Sequence, residues 1–399
     1  MPYRILSLDG GGPWALIQVQ ALIALYNPHT TGHEVLRDFD LVAANSGGSF
    51  VLGLLIEDIP LSVLQSYFID ETKRKSIFPP SSSFKYWAIQ NVLGIGPKYS
   101  TEDKLPAIKR LLPNKGYIPL TQVARGIKPP AEVDVHILIT SFHYDLNRAT
   151  FFRSASATGP AWGSGAASTV TLAEAIHAST NAPVMYFDAP AEFPGQPDRY
   201  RYWDGAVTGC NNPVLAAVTE AITLGQKPTD IVALSLGTGS VVLPLVDPGA
   251  EPSIYEAARI DSGLKIDIVK LATAILDDPP DAATFIAHIV TGSGIGAPAP
   301  AVSRIVRMNP LICPLRDPPI TGNWTAPKGM TGDQFQYLCR IDMDAIAPEQ
   351  MDAILQLAQL WLAGEARNQP IRIDGKTLEK EIGYDRFQPA MDAWNKIRV

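Results

Sequence analysis

Short apolar runs along the chain alternate with stretches in which apolar residues recur at helical spacing. The apolar runs predict buried strands at residues 3–8, 36–44, 133–142, 200–203 and 231–236. The stretches with helical spacing predict helices at residues 14–26, 49–56, 61–75, 100–112, 171–179 and 213–224. Short strands that alternate with helices are typical of a mainly parallel sheet covered on both faces. The pattern therefore predicts a three-layer α/β/α fold.

The regular alternation weakens after residue 241, where prolines become frequent. The remaining pattern predicts helices at 260–276, 282–290 and 348–362 and a last strand at 336–341. Residues 292–332 are dense in Gly and Pro, a composition typical of an ordered loop or a mobile lid.

The same pattern suggests how the chain is divided. We expect one domain over residues 1–345, which includes a Gly/Pro-rich lid or loop region at 241–332. We expect residues 346–399 to form a helical extension packed on the same domain. A second candidate for a lid is the aromatic and aliphatic stretch 78–99, which follows a break of prolines and serines.

Composition and charge exclude several classes of protein. With 46% hydrophobic and 18% charged residues among 399, the chain has the balance of a globular protein with a sizeable core. A net charge of -7 argues against a partner that is a nucleic-acid polymer. Cys210, Cys313 and Cys339 are widely spaced, which predicts neither a disulfide framework nor a zinc site. There is also no calcium-binding loop motif.

The first residues reach Asp9 and three glycines too soon to contain the apolar core of a signal peptide. No uninterrupted apolar run has the length of a transmembrane helix. The sequence therefore predicts a soluble, cytoplasmic protein that contacts membranes only peripherally. Export without a cleaved signal stays open as an alternative.

Three consecutive glycines, Gly10, Gly11 and Gly12, follow the first predicted strand. Glycine permits positive φ, so such a loop can turn its N–H groups into a concave anion-binding site at a helix start. Such a loop can bind a nucleotide phosphate, stabilise the oxyanion of acyl transfer, or form a tight turn that binds no ligand. The order matches neither G-x-G-x-x-G nor the P-loop, which weighs against a nucleotide.

Ser46 follows the apolar run that ends at Ala44, with Asn45, Gly47 and Gly48 around it. Small residues two positions before and after a serine are what a sharp strand-to-helix turn requires, because the two backbones nearly touch. The helix that follows presents unpaired N–H groups and a positive potential to the serine. The pattern predicts a nucleophile supported by Asn45, Gly47 and Gly48.

Asp204 begins a third loop that follows a predicted strand. In a parallel sheet such loops meet at the carboxyl edge, where these folds bind their ligands. A glycine loop, an exposed serine and a carboxylate at one edge predict a hydrolase site.

The three motifs resemble the patatin-like phospholipase family, which carries a D-G-G-G loop, a G-x-S-x-G turn and a later D-G-[AG]. In this chain they read Asp9-Gly10-Gly11-Gly12, Ala44-Asn45-Ser46-Gly47-Gly48 and Asp204-Gly205-Ala206. The resemblance covers residues 2–239, with weaker similarity at 337–342.

The resemblance implies a lipid acyl hydrolase of the phospholipase A type that uses a Ser-Asp dyad. Ser46 is the implied nucleophile, Asp204 the base, and Gly10, Gly11 and Gly12 the oxyanion hole. The implied substrate is a lipid at a membrane surface, most simply a glycerophospholipid, with no metal ion or cofactor. An activating small molecule or protein is compatible with this interpretation, and the sequence identifies none. Asp9 is interpreted as ordering the glycine loop.

Two departures from the family pattern change the expected site. The family commonly continues its glycine loop with a basic residue and another glycine, whereas this chain has Trp14 and Ala15. No arginine is then expected at the oxyanion loop, and Trp14 is expected to wall the acyl pocket. Ala44 replaces the first glycine of the serine turn, and one methyl group is expected to fit.

Two other functions stay open. An α/β-hydrolase with a Ser-Asp-His triad needs a histidine after the acid, and His288 is the only candidate, in an apolar helical setting. His177 precedes Asp204 and is interpreted as a packed residue. A catalytically silent protein that binds an acyl chain or a nucleotide is the other alternative.

Overall fold

The computed structural model describes residues 1–80, 97–154, 170–183, 185–193, 200–292, 303–316, 322–371 and 382–399. Its strands are β1 (Tyr3–Leu8), β2 (Leu41–Ala44), β3 (His136–His143), β4 (Arg148–Arg153), β5 (Ala191–Glu192), β6 (Arg201–Asp204), β7 (Ile231–Leu236), β8 (Ser240–Val241), β9 (Ile305–Met308), β10 (Pro310–Ile312), β11 (Leu315–Arg316), β12 (Trp324–Thr325) and β13 (Arg367–Asn368).

The main sheet has the strand order β5-β6-β3-β2-β1-β7-β9, and β4 joins it by pairing with β3. The five neighbours from β3 to β9 are parallel. The strands β4, β5 and β6 are antiparallel to their partners. The predicted mainly parallel sheet is confirmed, with an antiparallel edge.

Thirteen α-helices lie within the described residues: α1 (Leu16–Tyr26), α2 (Gly32–Leu36), α3 (Ser46–Ile56), α4 (Leu61–Ile69), α5 (Glu71–Ile77), α6 (Thr101–Leu111), α7 (Leu120–Val123), α8 (Leu172–Ser179), α9 (Val214–Thr223), α10 (Leu264–Val290), α11 (Gly332–Cys339), α12 (Pro348–Leu362) and α13 (Phe387–Ile397). Among these residues, no helix combines the length and the apolar character that crossing a membrane requires.

Alternate residues of the parallel strands enter two different cores. Leu6, Leu8 and Val42 pack with residues of α1, α3 and α8. Ile5 and Leu41 pack with residues of α9 and α10 on the other side. Because successive side chains of a strand point to opposite faces, the sheet is covered by helices on both faces. The predicted three-layer α/β/α fold is confirmed.

The C-terminal residues pack on the first of these cores. Trp361 of α12 is fully buried there, and the ring of Trp394 in α13 stacks on Phe39 with centroids 5.8 Å apart. The amphipathic helix predicted at 348–362 is confirmed. The division into residues 1–345 and 346–399 stays a prediction, and these contacts favour it.

Three predictions from the loosely patterned part of the chain are wrong. The strand predicted at 336–341 is part of helix α11, because the Thr331 hydroxyl accepts from the Gln334 amide and the Gln334 side chain accepts from the Thr331 amide. This capping box starts a helix. The helices predicted at 260–276 and 282–290 form one helix, since a proline pair removes hydrogen bonds without necessarily ending a helix. In the regularly patterned part of the chain, the single helix predicted at 61–75 is instead two helices, α4 and α5.

Within 241–332, β9 joins the main sheet beside β7, and a lid or loop elsewhere in this region stays a prediction. Residues 293–302 and 317–321 of the candidate lid at 292–332 lie outside the described residues. So do residues 81–96 of the candidate lid at 78–99.

Candidate active site

The glycine loop and Ser46 both follow strands that end side by side at the carboxyl edge of the sheet. The strands β1 and β2 are parallel neighbours, and Leu8 lies opposite Ala44 at their carboxyl ends. The Asn45 amide donates to the Leu8 carbonyl at 3.1 Å. The two predicted loops therefore leave the sheet side by side.

Asp204 reaches this edge by a different route from the predicted one. It ends β6, which is antiparallel to β3, so it does not follow a parallel strand. Asp204 lies opposite Ser141, and β3 continues past Ile139, which lies opposite Ala44 at the end of β2. The longer strand β3 thus carries Asp204 to the carboxyl edge.

Ser46 lies at a strained turn between β2 and α3. Its φ is 45°, in a region that side chains other than glycine seldom adopt. Its amide donates to the Ser179 hydroxyl at 2.9 Å, and its carbonyl accepts from the Ser49 hydroxyl at 2.6 Å. These bonds from α8 and α3 hold the turn in place.

Gly47 and Gly48 lie against backbone atoms. A Cβ at Gly47 would lie 2.4 Å from the Gly12 carbonyl oxygen, and one at Gly48 would lie 2.4 Å from the Leu8 carbonyl oxygen. Both contacts are with backbone, which cannot move aside as a side chain can. The small residues allow the serine turn to lie directly on the glycine loop.

Asp204 is buried and receives several hydrogen bonds. Its Oδ1 accepts from Asn45 Nδ2 at 3.0 Å and from the Ala206 amide at 2.9 Å. The Asn45 side chain is oriented by the Thr140 hydroxyl, which donates to Asn45 Oδ1 at 2.6 Å. Burial raises the pKa of Asp204, and hydrogen bonds from Ala206, Ser46 and Asn45 act in the opposite direction. The site therefore contains a carboxylate more basic than an exposed one, whose charge the Ser46 side chain helps to stabilise.

The glycine loop contains fewer open amides than the sequence predicts. The Gly10 amide donates to the Asn211 carbonyl at 2.8 Å, so the prediction that it faces an oxyanion needs correction. Within the part of the chain that the structure describes, the amides of Gly11, Gly12 and Gly47 have no acceptor. Gly11 and Gly12 have φ of 153° and 55°, which suit glycine.

Comparison with known proteins identifies the family. A model of the patatin-like phospholipase family matches residues 6–218, more than half of the 399 residues. The chain belongs to the patatin-like phospholipase family. This patatin-like chain is 24% identical over 281 residues to an intracellular phospholipase A2 of Caenorhabditis elegans. The match covers 67% of the chain and about a fifth, 21%, of that relative's length.

Two solved structures are similar at low level. VipD from Legionella pneumophila aligns with 90% of the patatin-like chain and 67% of its own at 10% identity and a TM-score of 0.36. The type III effector protein ExoU aligns with 90% of this chain and 53% of its own at 13% identity and a TM-score of 0.26. These similarities are too weak to add to the family assignment.

An apolar cavity adjoins Ser46 in the patatin-like site. Its volume is about 50 Å³, whereas pockets for small molecules measure roughly 300 Å³ or more. Aromatic rings and a methionine dominate its wall, namely Phe50, Phe68, Phe78, Phe187 and Met343. A lipid acyl chain can enter only if part of this wall moves.

Polar bonds brace one side of that wall. Met343 lies between Asp342, which accepts from the Tyr186 hydroxyl at 2.6 Å, and Asp344, which accepts from the Tyr99 hydroxyl at 2.5 Å. Lys98 Nζ also lies 3.0 Å from Asp344. These bonds fix the backbone on either side of Met343.

Trp14 does not wall this cavity, contrary to the expectation. It lies on the other side of the glycine loop, where it lines a separate cavity of about 350 Å³ with Gly239 and Ile341. Its indole donates to the Asp342 carbonyl at 3.2 Å. The tryptophan supports the back of the glycine loop.

Asp9 forms a buried ion pair with Arg307 of β9. Arg307 Nη2 lies 2.6 Å from Asp9 Oδ2, and Arg307 Nη1 donates to the Ser235 hydroxyl at 2.9 Å. Burial raises the pKa of Asp9 to about 6, and Arg307 acts in the opposite direction. These contacts tie the start of the glycine loop to β7 and β9, in agreement with the interpretation of Asp9.

The two histidines considered in the sequence analysis, His288 and His177, make no hydrogen bond to Ser46 or Asp204 within the described residues. His288 Nδ1 lies 3.0 Å from the Ser303 hydroxyl, in α10 on the opposite face of the sheet. His177 is buried in α8, and burial lowers its pKa well below the usual value, so it is neutral. The geometry does not favour the Ser-Asp-His triad.

Lys104 is a residue of this site that the sequence analysis missed. It is fully buried in α6, and its charge acts on Asp204. One pattern could have revealed it: Lys104 precedes Ile108 and Leu111 at helical spacing, so it occupies the apolar face.

Proposed function

We propose that the protein is a serine lipid acyl hydrolase of the phospholipase A type, which cleaves carboxylic esters of glycerophospholipids or related lipids. The observation that carries the proposal is the buried Asp204 carboxylate, held by Asn45 next to Ser46, together with the amides of Gly11 and Gly12, which have no acceptor among the described residues. Membership of the patatin-like phospholipase family supports the lipid substrate.

The proposed reaction begins with attack of Ser46 Oγ on the ester carbonyl carbon. Asp204 accepts the hydroxyl proton as the C–O bond forms, and the carbonyl oxygen becomes an oxyanion. The C–O bond to the alcohol then breaks, and the leaving alcohol takes the proton from Asp204. Water attacks the acyl-Ser46 ester in the same way and releases the fatty acid, which restores both side chains.

The free-energy problem is the large difference in pKa between a carboxyl group and a serine hydroxyl. Burial raises the pKa of Asp204, which brings it closer to the pKa of the serine hydroxyl. N–H donors that stabilise the developing oxyanion lower the remaining barrier, because each well-placed donor contributes about a hundredfold or more in rate. The start of α3, at Ser46, adds a positive potential where the negative charge develops.

The apolar cavity beside Ser46 supports a lipid substrate at a membrane surface. An apolar cavity beside Ser46 suits a fatty acyl chain, and a membrane surface supplies such chains. An activating small molecule or protein that moves the wall is compatible with the braced Met343 and stays a prediction. Peripheral contact of a cytoplasmic protein with a membrane likewise stays a prediction.

Fatty-acid release from phosphatidylcholine vesicles tests the proposal. In the presence of a chelator, we expect release by the native protein and a loss of at least roughly a thousandfold in Ser46→Ala, because the acyl-enzyme cannot form. Ser66→Ala, which removes an exposed hydroxyl from α4, is the matched control and should keep full activity. Equal release by native protein and Ser46→Ala would refute the proposal.

A further inference from the structure

Lys104 occupies a position where lysine is rarely found. Its exposed fraction is 0%, whereas lysine is almost never fully buried without a partner. Its Nζ donates to Asn181 Oδ1 at 2.7 Å. The same ammonium lies 3.8 Å from the centroid of the Phe187 ring, within range of a cation–π interaction.

Both neighbours of Lys104 lead into the candidate active site. The Asn181 carbonyl accepts from the Asp204 amide at 3.0 Å, which fixes the backbone that carries the carboxylate. Phe187 lines the apolar cavity beside Ser46 and stacks on Phe78, with centroids 6.1 Å apart. Lys104 is therefore placed between the carboxylate and the acyl cavity.

Lys104 and Asp204 affect each other's pKa. Burial lowers the pKa of Lys104 well below its usual value, and the negative charge of Asp204 acts against this. In return, the positive charge of Lys104 lowers the pKa of Asp204, against the effect of burial. Each group thus favours the charged form of the other.

Titratable groups near Lys104 include His177, Lys109 and Asp188. His177 is buried in α8 and stays neutral, because burial and the charges of Lys104 and Lys109 lower its pKa. Asp188 accepts from the Thr101 amide at the start of α6. Lys104 is the lysine whose charge acts on Asp204.

We propose that Lys104 is a positioning residue of the dyad: it holds Asn181 and Phe187 in place and supplies a buried positive charge to this side of the site. This inference rests on the proposed function.

The pH dependence of fluorophosphonate labelling at Ser46 tests this role. Without the positive charge, Asp204 takes a proton at higher pH. The acidic limb of the labelling profile, which is the pH range where the rate falls as Asp204 is protonated, should therefore lie at higher pH in Lys104→Met. We expect a shift of about one pH unit, which is about a tenfold slower reaction along that limb. A purely structural role would lower the rate without moving the limb.

Two further variants make the result decisive. Lys104→Gln is also neutral but keeps a donor for Asn181, so it should show the same shift and replaces Lys104→Met if that variant does not fold. Lys109→Met removes a lysine from the same helix, where its Nζ lies 5.3 Å from the Tyr117 ring, and should leave the limb in place.

The possible outcomes separate the two proposals. A native protein that does not label at Ser46 would refute the proposed function and this inference together. Normal labelling of the native protein with an unmoved limb in both Lys104 variants would refute the inference alone. Failure of both variants to fold, while Lys109→Met folds, would also overturn it and assign Lys104 to the core.

Discussion

Replacement of Asp204 by asparagine is expected to reduce fatty-acid release roughly a thousandfold or more, because the amide cannot accept the Ser46 proton. The variant should fold, since its side-chain oxygen can still accept from Asn45 Nδ2 and the Ala206 amide. Its thermal stability should equal or exceed that of the native protein. Burial raises the pKa of Asp204, which means that the ionised form costs stability at neutral pH.

Initial rates of release from phosphatidylcholine vesicles, together with thermal unfolding curves, check this prediction. The matched control is Asp145→Asn, because Asp145 follows β3 at the surface and pairs with Arg201. An exposed pair contributes at most about 1 kcal/mol, so the control should keep both activity and stability. If Asp204→Asn retained more than about a tenth of native activity, Asp204 would not be the base.

The second large effect concerns stability rather than catalysis. Arg307→Met should lower the free energy of unfolding by about 3–5 kcal/mol, because it leaves the buried Asp9 carboxylate without its partner. Asp9 Oδ1 already has no hydrogen-bond partner among the described residues, and Asp9 Oδ2 would lose the 2.6 Å contact. Urea unfolding at pH 8 measures the change.

The pH dependence of this loss has a definite sign. In the native protein burial raises the pKa of Asp9 to about 6 despite Arg307, so without Arg307 the pKa rises further. A carboxyl group whose pKa is raised on folding contributes stability at low pH and loses it as pH rises through the folded-state pKa. The destabilisation of Arg307→Met should therefore shrink as pH falls from 8 towards and below 6.

Two controls separate loss of charge pairing from loss of packing. Asp9→Asn combined with Arg307→Met should recover most of the stability, because no unpaired charge remains. Arg386→Met breaks an exposed pair with Asp385 and should cost less than about 1 kcal/mol. A loss in Arg307→Met that is the same at every pH and persists in the double variant would show that packing, not charge, sets the effect.

Local patterns predicted the parts of the site that lie close together in the sequence. The glycine loop follows β1 and Ser46 follows β2. Both strands were visible as apolar runs, and each motif begins where its run ends. The close approach of Gly47 and Gly48 to backbone atoms explains why small residues at those positions were informative. The parallel pairing of β1 and β2 then brings these loops together.

Contacts between distant residues were not predictable in the same way. Arg307 pairs with Asp9 across 298 positions, and no periodicity links two such residues. The antiparallel direction of β6 depends on how β3 continues past β2, which the alternation of strands and helices does not encode. Similarly, the Gly10 amide donates a hydrogen bond to the Asn211 carbonyl. These residues are far apart in the sequence, so the bond is seen only in the folded chain.

The surroundings of two buried side chains, Lys104 and Trp14, were not predicted. Lys104 lies within the helix predicted at 100–112, and nothing in that prediction singled out its side chain as fully buried. Trp14 was assigned to the acyl pocket by its position in the sequence, yet the glycine loop separates the two. Both cases show that the surroundings of a side chain depend on tertiary packing.

Covalent labelling tests the central claim most directly. A small fluorophosphonate needs less room than a lipid, so it should react with the native protein even while the cavity wall is closed. The account predicts one adduct per chain by intact mass, mapped to Ser46 by peptide analysis, and no adduct in Ser46→Ala. An unlabelled native protein, or an adduct that persists in Ser46→Ala, would contradict the assignment of Ser46 as the nucleophile.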